Sequence, residues 1–183
     1  WGYARESAGS LSALCATESQ VASGSLSSQR LTLPRATSGP RWERRCPAGM
    51  VVKELRGHTA AIAGPLNSTE LTCQLLANPQ PIVKTRFPDV GIRGNVATIS
   101  RGACIGRGAM NALLVTRSSA VARIAGECKA VSTSATGVDF VDAFSTWLPG
   151  VGAHEGPGFV DASAWCPDSK MLVGLRIASG SPI

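Results

Sequence analysis

The chain has 183 residues, 44% hydrophobic and only 16% charged. That is one domain's worth of chain, long enough to bury about two-thirds of its unfolded surface, and too apolar for a disordered segment. The net charge is +6, but there is neither a lysine-rich stripe nor a nucleic-acid motif, and no apolar run approaches the ~18 residues of a membrane span, so neither a nucleic-acid partner nor a membrane span is expected.

In chain order, Leu11–Cys15 is a short strand candidate within a Ser-, Ala- and Gly-rich opening of about 40 residues. Gln29–Leu33 alternates polar and apolar residues, and Pro34 ends it. Arg35, Arg41, Arg44 and Arg45 form the densest basic cluster, with Trp42 inside it. Met50–Leu55 is β-prone, with Gly57 as a breaker; Glu70–Leu75, Ile82–Phe87 and Val96–Ile99 are further strands. The stretch from Ala103 to Ala122 carries the strongest helical alternative, against which Gly106, Gly108 and Ser118-Ser119 weigh. Ala112–Thr116, Ala120–Ile124 and Met171–Ile177 complete the strands. Residues 145–158, rich in Gly and Pro, read as a long irregular loop. Gly and Pro at short intervals favour an all-β sandwich, barrel or prism.

Six cysteines against two histidines argue for disulfides and an oxidising compartment, and the absence of any CxxC spacing argues against zinc. Counting alone leaves fifteen pairings open. The chain starts at Trp1 rather than Met, which is expected of a processed mature protein or an excised fragment. Asn67-Ser68-Thr69 fits the N-glycosylation pattern, a triplet frequent by chance and read here as bare.

An internal repeat narrows the pairings. Cys46-Pro47 and Cys166-Pro167 align without gaps, with Leu55-Arg56 and Leu175-Arg176 at the same offset beyond them, and a tryptophan (Trp42, Trp165) precedes each cysteine. Cys104 opens a weaker copy that lacks the proline but keeps Leu113 at that offset. Two copies close on a second cysteine, Cys73 and Cys128; the third has too little chain left after Cys166 and finds its missing half at Leu11–Cys15. The expected bonds are Cys46–Cys73, Cys104–Cys128 and Cys15–Cys166. The expected architecture is a single domain, 1–183, of three pseudo-repeats at about 40–78, 98–132 and 160–183, the last closed by 1–20.

The run Trp42, Cys46-Pro47-Ala48-Gly49, Met50 to Leu55, Gly57, Leu66-Asn67 and Leu71-Thr72-Cys73 resembles the repeat of the vitelline membrane outer layer protein family. The resemblance covers about a third of the chain at motif level. It implies a β-prism of three Greek-key sheets tied by disulfides, and an extracellular coat role with carbohydrate interaction. The family's paired aspartates before Leu-Asn are absent here, where Ile62-Ala63-Gly64-Pro65 stands.

No signature of catalysis is present: no G-x-S-x-G, no third glycine after Gly150-Val151-Gly152, and no carboxylate pair that sequence brings together. The chain is therefore not expected to be an enzyme, and no cofactor or metal is implied. For a carbohydrate-binding, lectin-like surface, Trp147 is the aromatic candidate, with Arg44, Arg45, His154 and Glu155 as hydrogen-bonding partners. Trp42 and Trp165, at matching places in two repeats, read as core or disulfide-packing residues. The expected product is a secreted domain that binds a glycan or polysaccharide. The alternative is a structural subunit of an extracellular layer, coat or filament that associates with itself.

Overall fold

In the computed structural model, the residues described are 7–24, 31–32, 41–59, 66–76, 82–86, 98–105, 108–117, 121–134, 137–147, 151–152, 160–167 and 170–180. They form an all-β fold of thirteen strands with one short helix. The strands are β1 (Ser7–Thr17), β2 (Leu31–Thr32), β3 (Arg41–Arg45), β4 (Met50–Thr59), β5 (Leu66–Leu75), β6 (Ile82–Arg86) and β7 (Thr98–Ala103). They continue with β8 (Ala109–Arg117), β9 (Val121–Ser134), β10 (Gly137–Trp147), β11 (Val151–Gly152), β12 (Val160–Trp165) and β13 (Lys170–Gly180). The helix, α1, spans Glu18–Ser23.

Three antiparallel sheets share one strand order. Sheet I runs β2-β1-β13-β3, sheet II β6-β5-β4-β7 and sheet III β10-β9-β8-β12, with β11 also paired to β9. In sheet II the fourth strand in chain order, β7, returns beside the first, and in sheet III β12 does so after β8, β9 and β10, with β11 off this path; this is the Greek-key order. Sheet I has the same order only if the chain is read as a circle, because β13 is its first strand and β1, β2 and β3 come from the other end. The last repeat is thus completed by the chain's beginning, over a pairing that runs from Ser7↔Gly180 to Thr17↔Lys170.

Sequence explains this sameness. Val52, Met110 and Leu172 stand six positions after their cysteines, and Leu55, Leu113 and Leu175 nine positions after; all six are buried in one core cluster with the six cysteines. Full burial of each leucine contributes about 1.5–3 kcal/mol. Between these positions each strand carries one extra residue: the register skips Lys53 in β4, Asn111 in β8 and Val173 in β13. A bulge turns two successive residues to the same side and bends the strand. It brings the side-chain pattern back into phase, so two buried residues three apart both reach the core. Strands β4, β8 and β13 touch one another in all three combinations.

The corners repeat as well. After its last strand each sheet reaches a cysteine whose N–H donates to the carbonyl of the bulged residue: Cys46 to Val173 at 2.8 Å, Cys104 to Lys53 at 3.0 Å and Cys166 to Asn111 at 2.8 Å. A tight turn follows, closed by Met50 N–H to Pro47 O, Gly108 N–H to Ile105 O and Lys170 N–H to Pro167 O, at 2.9–3.0 Å. Ile105, where the other copies have proline, is 87% exposed, yet its carbonyl accepts the same closing bond.

The disulfides are Cys15–Cys166, Cys46–Cys73 and Cys104–Cys128. These are the three pairs given by the repeat alignment. Each links the corner that leaves one sheet to the second strand of the next: I to II, II to III and III to I.

Several expectations need correction. The strand opened by Met50 does not stop at Gly57: β4 lies between β5 and β7, and Gly57 pairs with Thr69 and Ser100. Two neighbouring ladders outweigh a weak residue. Between Ala103 and Ala122 the expected strand at Ala112–Thr116, not the helical alternative, is the one present, as β8. The loop expected at 145–158 begins later, since β10 extends to Trp147, and Val151 and Gly152 pair with Ile124 and Arg123 of β9. Strands β4–β7 make sheet II, and β8–β10 with β12 make sheet III.

Helix α1 was not expected. Its signal is Thr17-x-x-Gln20, a capping box: Gln20 Oε1 accepts from the Thr17 N–H at 3.0 Å, and Thr17 Oγ1 accepts from the Gln20 N–H. Gly24, at φ 70°, ends the helix in the left-handed region. The helix buries Val21 in a second cluster with Leu14, Ala16, Met171 and Val173, on the face of β1 opposite Ala13 and Cys15.

Candidate functional site

The three sheets can be compared residue by residue, one step beyond the bulge. In sheet I the rung reads Arg45–Gly174–Leu14 across β3, β13 and β1. In sheet II it reads Ala103–Glu54–Thr72–Lys84 across β7, β4, β5 and β6. In sheet III it reads Trp165–Ala112–Glu127–Trp147 across β12, β8, β9 and β10. Two of the chain's four tryptophans therefore stand on one rung, at its two ends, with a carboxylate and a small alanine between them.

Glu127 is 3% exposed and Asn111, the bulged residue beside it, 4%. The Asn111 side-chain oxygen has no hydrogen-bond partner among the described residues. An acceptor left without a donor in the interior costs about 1–3 kcal/mol, so an arrangement that retains one calls for a reason. Trp165 is 45% exposed, and its indole N–H donates to Ser163 Oγ at 3.3 Å, which fixes one edge of the ring. It is not the core or disulfide-packing residue the repeat suggested. Its counterparts are Arg45 and Ala103, whereas Trp42 pairs with Ile177, several rungs away. Matching tryptophans by their nearness to a cysteine concealed that shift.

Next to this rung β10 loses its register with β9 between Val141 and Thr146. Such irregularities are common where a strand borders a binding site. Trp147 lies on a strand rather than on the expected loop, and His154 and Glu155 lie outside the described residues.

Arg44 and Arg45 belong to β3 in sheet I, on a different sheet from Trp147. Arg44 is exposed and donates only a long bond, 3.5 Å, to the Glu43 carbonyl. Arg45 is engaged: its Nε donates to Glu43 Oε1 at 2.5 Å, while Arg176 of β13 holds Oε2 through Nε at 2.7 Å and through Nη2. Burial works against the charge on Glu43, but the hydrogen bonds and charges of Arg45 and Arg176 outweigh it and hold the carboxyl below its usual range. This trio fastens β3 to β13.

Sheet II uses most of its polar positions for structure, although Thr72 Oγ1 on its rung is also buried without a partner among the described residues. Glu54 pairs with Arg56 at 2.5 Å, and Lys53 Nζ and Gln74 Nε2 both donate to the Gly108 carbonyl, at 3.2 and 3.0 Å. Burial lowers the Lys53 pKa. What sets the sheet III rung apart is its two tryptophans. Sequence reading singled out Trp147 but not Trp165 as an exposed residue, nor Glu127 or Asn111. Nothing local marks Glu127 beside Cys128, or Asn111 as a bulge.

Among the described residues no group of His, Cys, Asp and Glu is placed to hold a metal ion, and no helix is long and apolar enough to cross a membrane. No family model, no curated protein and no solved structure matches the chain.

Proposed function

We propose that the protein is a secreted, lectin-like domain of β-prism type, and that it binds a glycan on the sheet III rung. The observation that carries this reading is the pairing of a half-exposed tryptophan, Trp165, with a buried carboxylate and an unpaired amide oxygen on adjacent strands. An aromatic face offers the apolar C–H side of a pyranose a flat surface, and a few fixed polar groups set its orientation. Trp147, at the other end of the rung, is the second aromatic; His154 and Glu155, a few residues further along the chain, remain candidate partners. Three disulfides fit an oxidising, extracellular setting. The motif resemblance to the vitelline membrane outer layer proteins supports the same reading, as do three sheets of one Greek-key order stapled in a cycle.

The test is a glycan array with the wild-type protein and Trp165→Ala. Because Trp165 is half exposed, the variant is expected to keep its unfolding free energy within about 0.5–1 kcal/mol. It is expected to lose tenfold or more in affinity, equivalent to about 1.4 kcal/mol. A silent array with wild-type protein, accompanied by polymers at neutral pH, would instead favour the self-assembling layer subunit.

A further inference from the structure

We propose that sheet II carries a second binding surface, separate from the sheet III rung, where a row of arginines holds the sulfate or carboxylate groups of an acidic polysaccharide. Its ground is the register of one rung. Arg101 of β7, Arg56 of β4, Glu70 of β5 and Arg86 of β6 stand opposite one another in turn. Directly opposed residues share a face of the sheet, and four strands ~4.8 Å apart make a row of about 14 Å. Leu55 and Leu71, which precede Arg56 and follow Glu70 in their strands, are buried in the core cluster, so the row belongs to the other face. The hydrogen bond from Arg56 to Glu54, with the charges of Glu54 and Glu70, raises the Arg56 pKa, as expected of groups on one face.

This face holds an excess of positive charge. Arg56 stands directly opposite Arg101, and like charges so placed destabilise a sheet. Glu70 stands between Arg56 and Arg86, and Lys84, opposite Thr72, adds a fourth cation against the carboxylates of Glu54 and Glu70. The other two sheets serve as controls. Ten positions beyond its cysteine, sheet II has Arg56, sheet I has Arg176 and sheet III has Leu114. The sheet I rung reads Glu43–Arg176–Ser12–Thr32, with one acid to one base. The sheet III rung reads Ser163–Leu114–Ala125 and carries no charge. The excess is therefore a property of sheet II and not of the repeat. A planar guanidinium binds sulfate or carboxylate through two parallel bonds, and a row of them suits a linear polyanion laid across the strands. The rungs of Glu54 and Arg56 contain no Trp, Tyr or Phe on which bases could stack. The large apolar side chains described as exposed, Ile105 and Trp165, lie off these rungs, so no apolar anchor for a membrane surface accompanies the charge.

The probes are dextran sulfate and unmodified dextran, which share a backbone, titrated by calorimetry in about 150 mM salt. Wild type is expected to bind dextran sulfate and not dextran. Arg101→Gln removes the like charge opposite Arg56, so it is expected to be at least as stable as wild type in denaturant, yet to bind dextran sulfate about fivefold more weakly. Arg86→Gln/Arg101→Gln is expected to lose about tenfold or more. Arg117→Gln/Arg123→Gln removes as much charge from sheet III and is expected to change the affinity by less than about twofold. Equal losses in the two double variants would mean that net charge alone attracts the polyanion, and would overturn the proposal. So would an Arg101→Gln variant that binds like wild type, or tighter binding of phosphatidylserine vesicles or single-stranded DNA than of dextran sulfate. Should the double variant fail to fold, Arg101→Gln alone decides. Neutral glycans report on the sheet III rung and polyanions on this face, so either reading can fail without the other.

Discussion

At the scale of single residues, close approach and charge pairing give the sharpest expectations. Gly174 lies where β3 presses on β13: a Cβ at this position would collide with the carbonyl oxygen of Arg44 and crowd the Arg45 backbone. Neither contact is a flexible side-chain end, so β3 must move away. Gly174→Ala is expected to cost about 1–3 kcal/mol, seen as a lower midpoint in denaturant with no change in slope. Glu43 gives a pH dependence at the same junction. Its folded pKa lies below the unfolded one, so its contribution is complete above the unfolded value, about 4.3, and disappears as pH falls through the folded value. At neutral pH, Glu43→Gln is expected to be about 1 kcal/mol less stable than wild type, a modest figure because the trio is partly solvated. The gap should close on acidification below about pH 4. A gap of constant size in melting curves from pH 7 to pH 3 would show that the carboxylate's charge contributes nothing.

At the scale of elements, α1 tests how a short helix is held. Six residues do not form a stable helix by themselves. The capping box and the burial of Val21 must supply the difference, and the carbonyl of Val21 also accepts from the Gly49 N–H at 2.7 Å, at the corner into sheet II. Thr17→Ala is expected to cost about 1 kcal/mol and to speed amide exchange in α1 and at Gly49 before any other segment. Exchange that rises evenly over the whole molecule would count against a local role. What the sequence made legible follows from the same distinction between local and distant causes. Leu55, Leu113 and Leu175 reveal the repeat because one offset carries them all, and the repeat in turn gives the disulfides. Strands β3, β10 and β12 were not foreseen. Arg41–Arg45 reads as a charge cluster, and it becomes a strand because β13 offers it an edge. The bulges were equally hidden, because an extra residue in a β-prone run leaves no compositional mark. The candidate site lies furthest from sequence. Its rung collects Ala112, Glu127, Trp147 and Trp165 from four strands, and neighbourhood in the chain places only Trp147 in a suggestive setting.

At the scale of the molecule, the three disulfides close a cycle of sheets, and their sequence separations make them unequal. Cys46–Cys73 and Cys104–Cys128 span 27 and 24 residues, whereas Cys15–Cys166 spans 151. In the loop-entropy model the short bonds contribute about 3.5 kcal/mol each. The long bond does not enclose its full contour as free chain, because the other two bonds short-circuit the path and leave roughly 100 residues, for which the model gives about 4.7 kcal/mol. All six cysteines are buried in the same core cluster, so replacing any pair with alanine leaves cavities of similar kind. The difference between double variants therefore isolates loop length. Cys15→Ala/Cys166→Ala is expected to be about 1 kcal/mol less stable than Cys46→Ala/Cys73→Ala, a melting temperature lower by about 2–4 °C for a chain of this size. The variant without the long bond should also open first at the pairing of β1 with β13, the one central ladder whose strands come from opposite ends of the chain. Equal losses in the two double variants, measured by denaturant unfolding, would mean that the unfolded chain already keeps its ends together. The seam would then be secured by the ladder itself, and the bond between Cys15 and Cys166 would serve mainly to repeat the corner that sheets II and III already have.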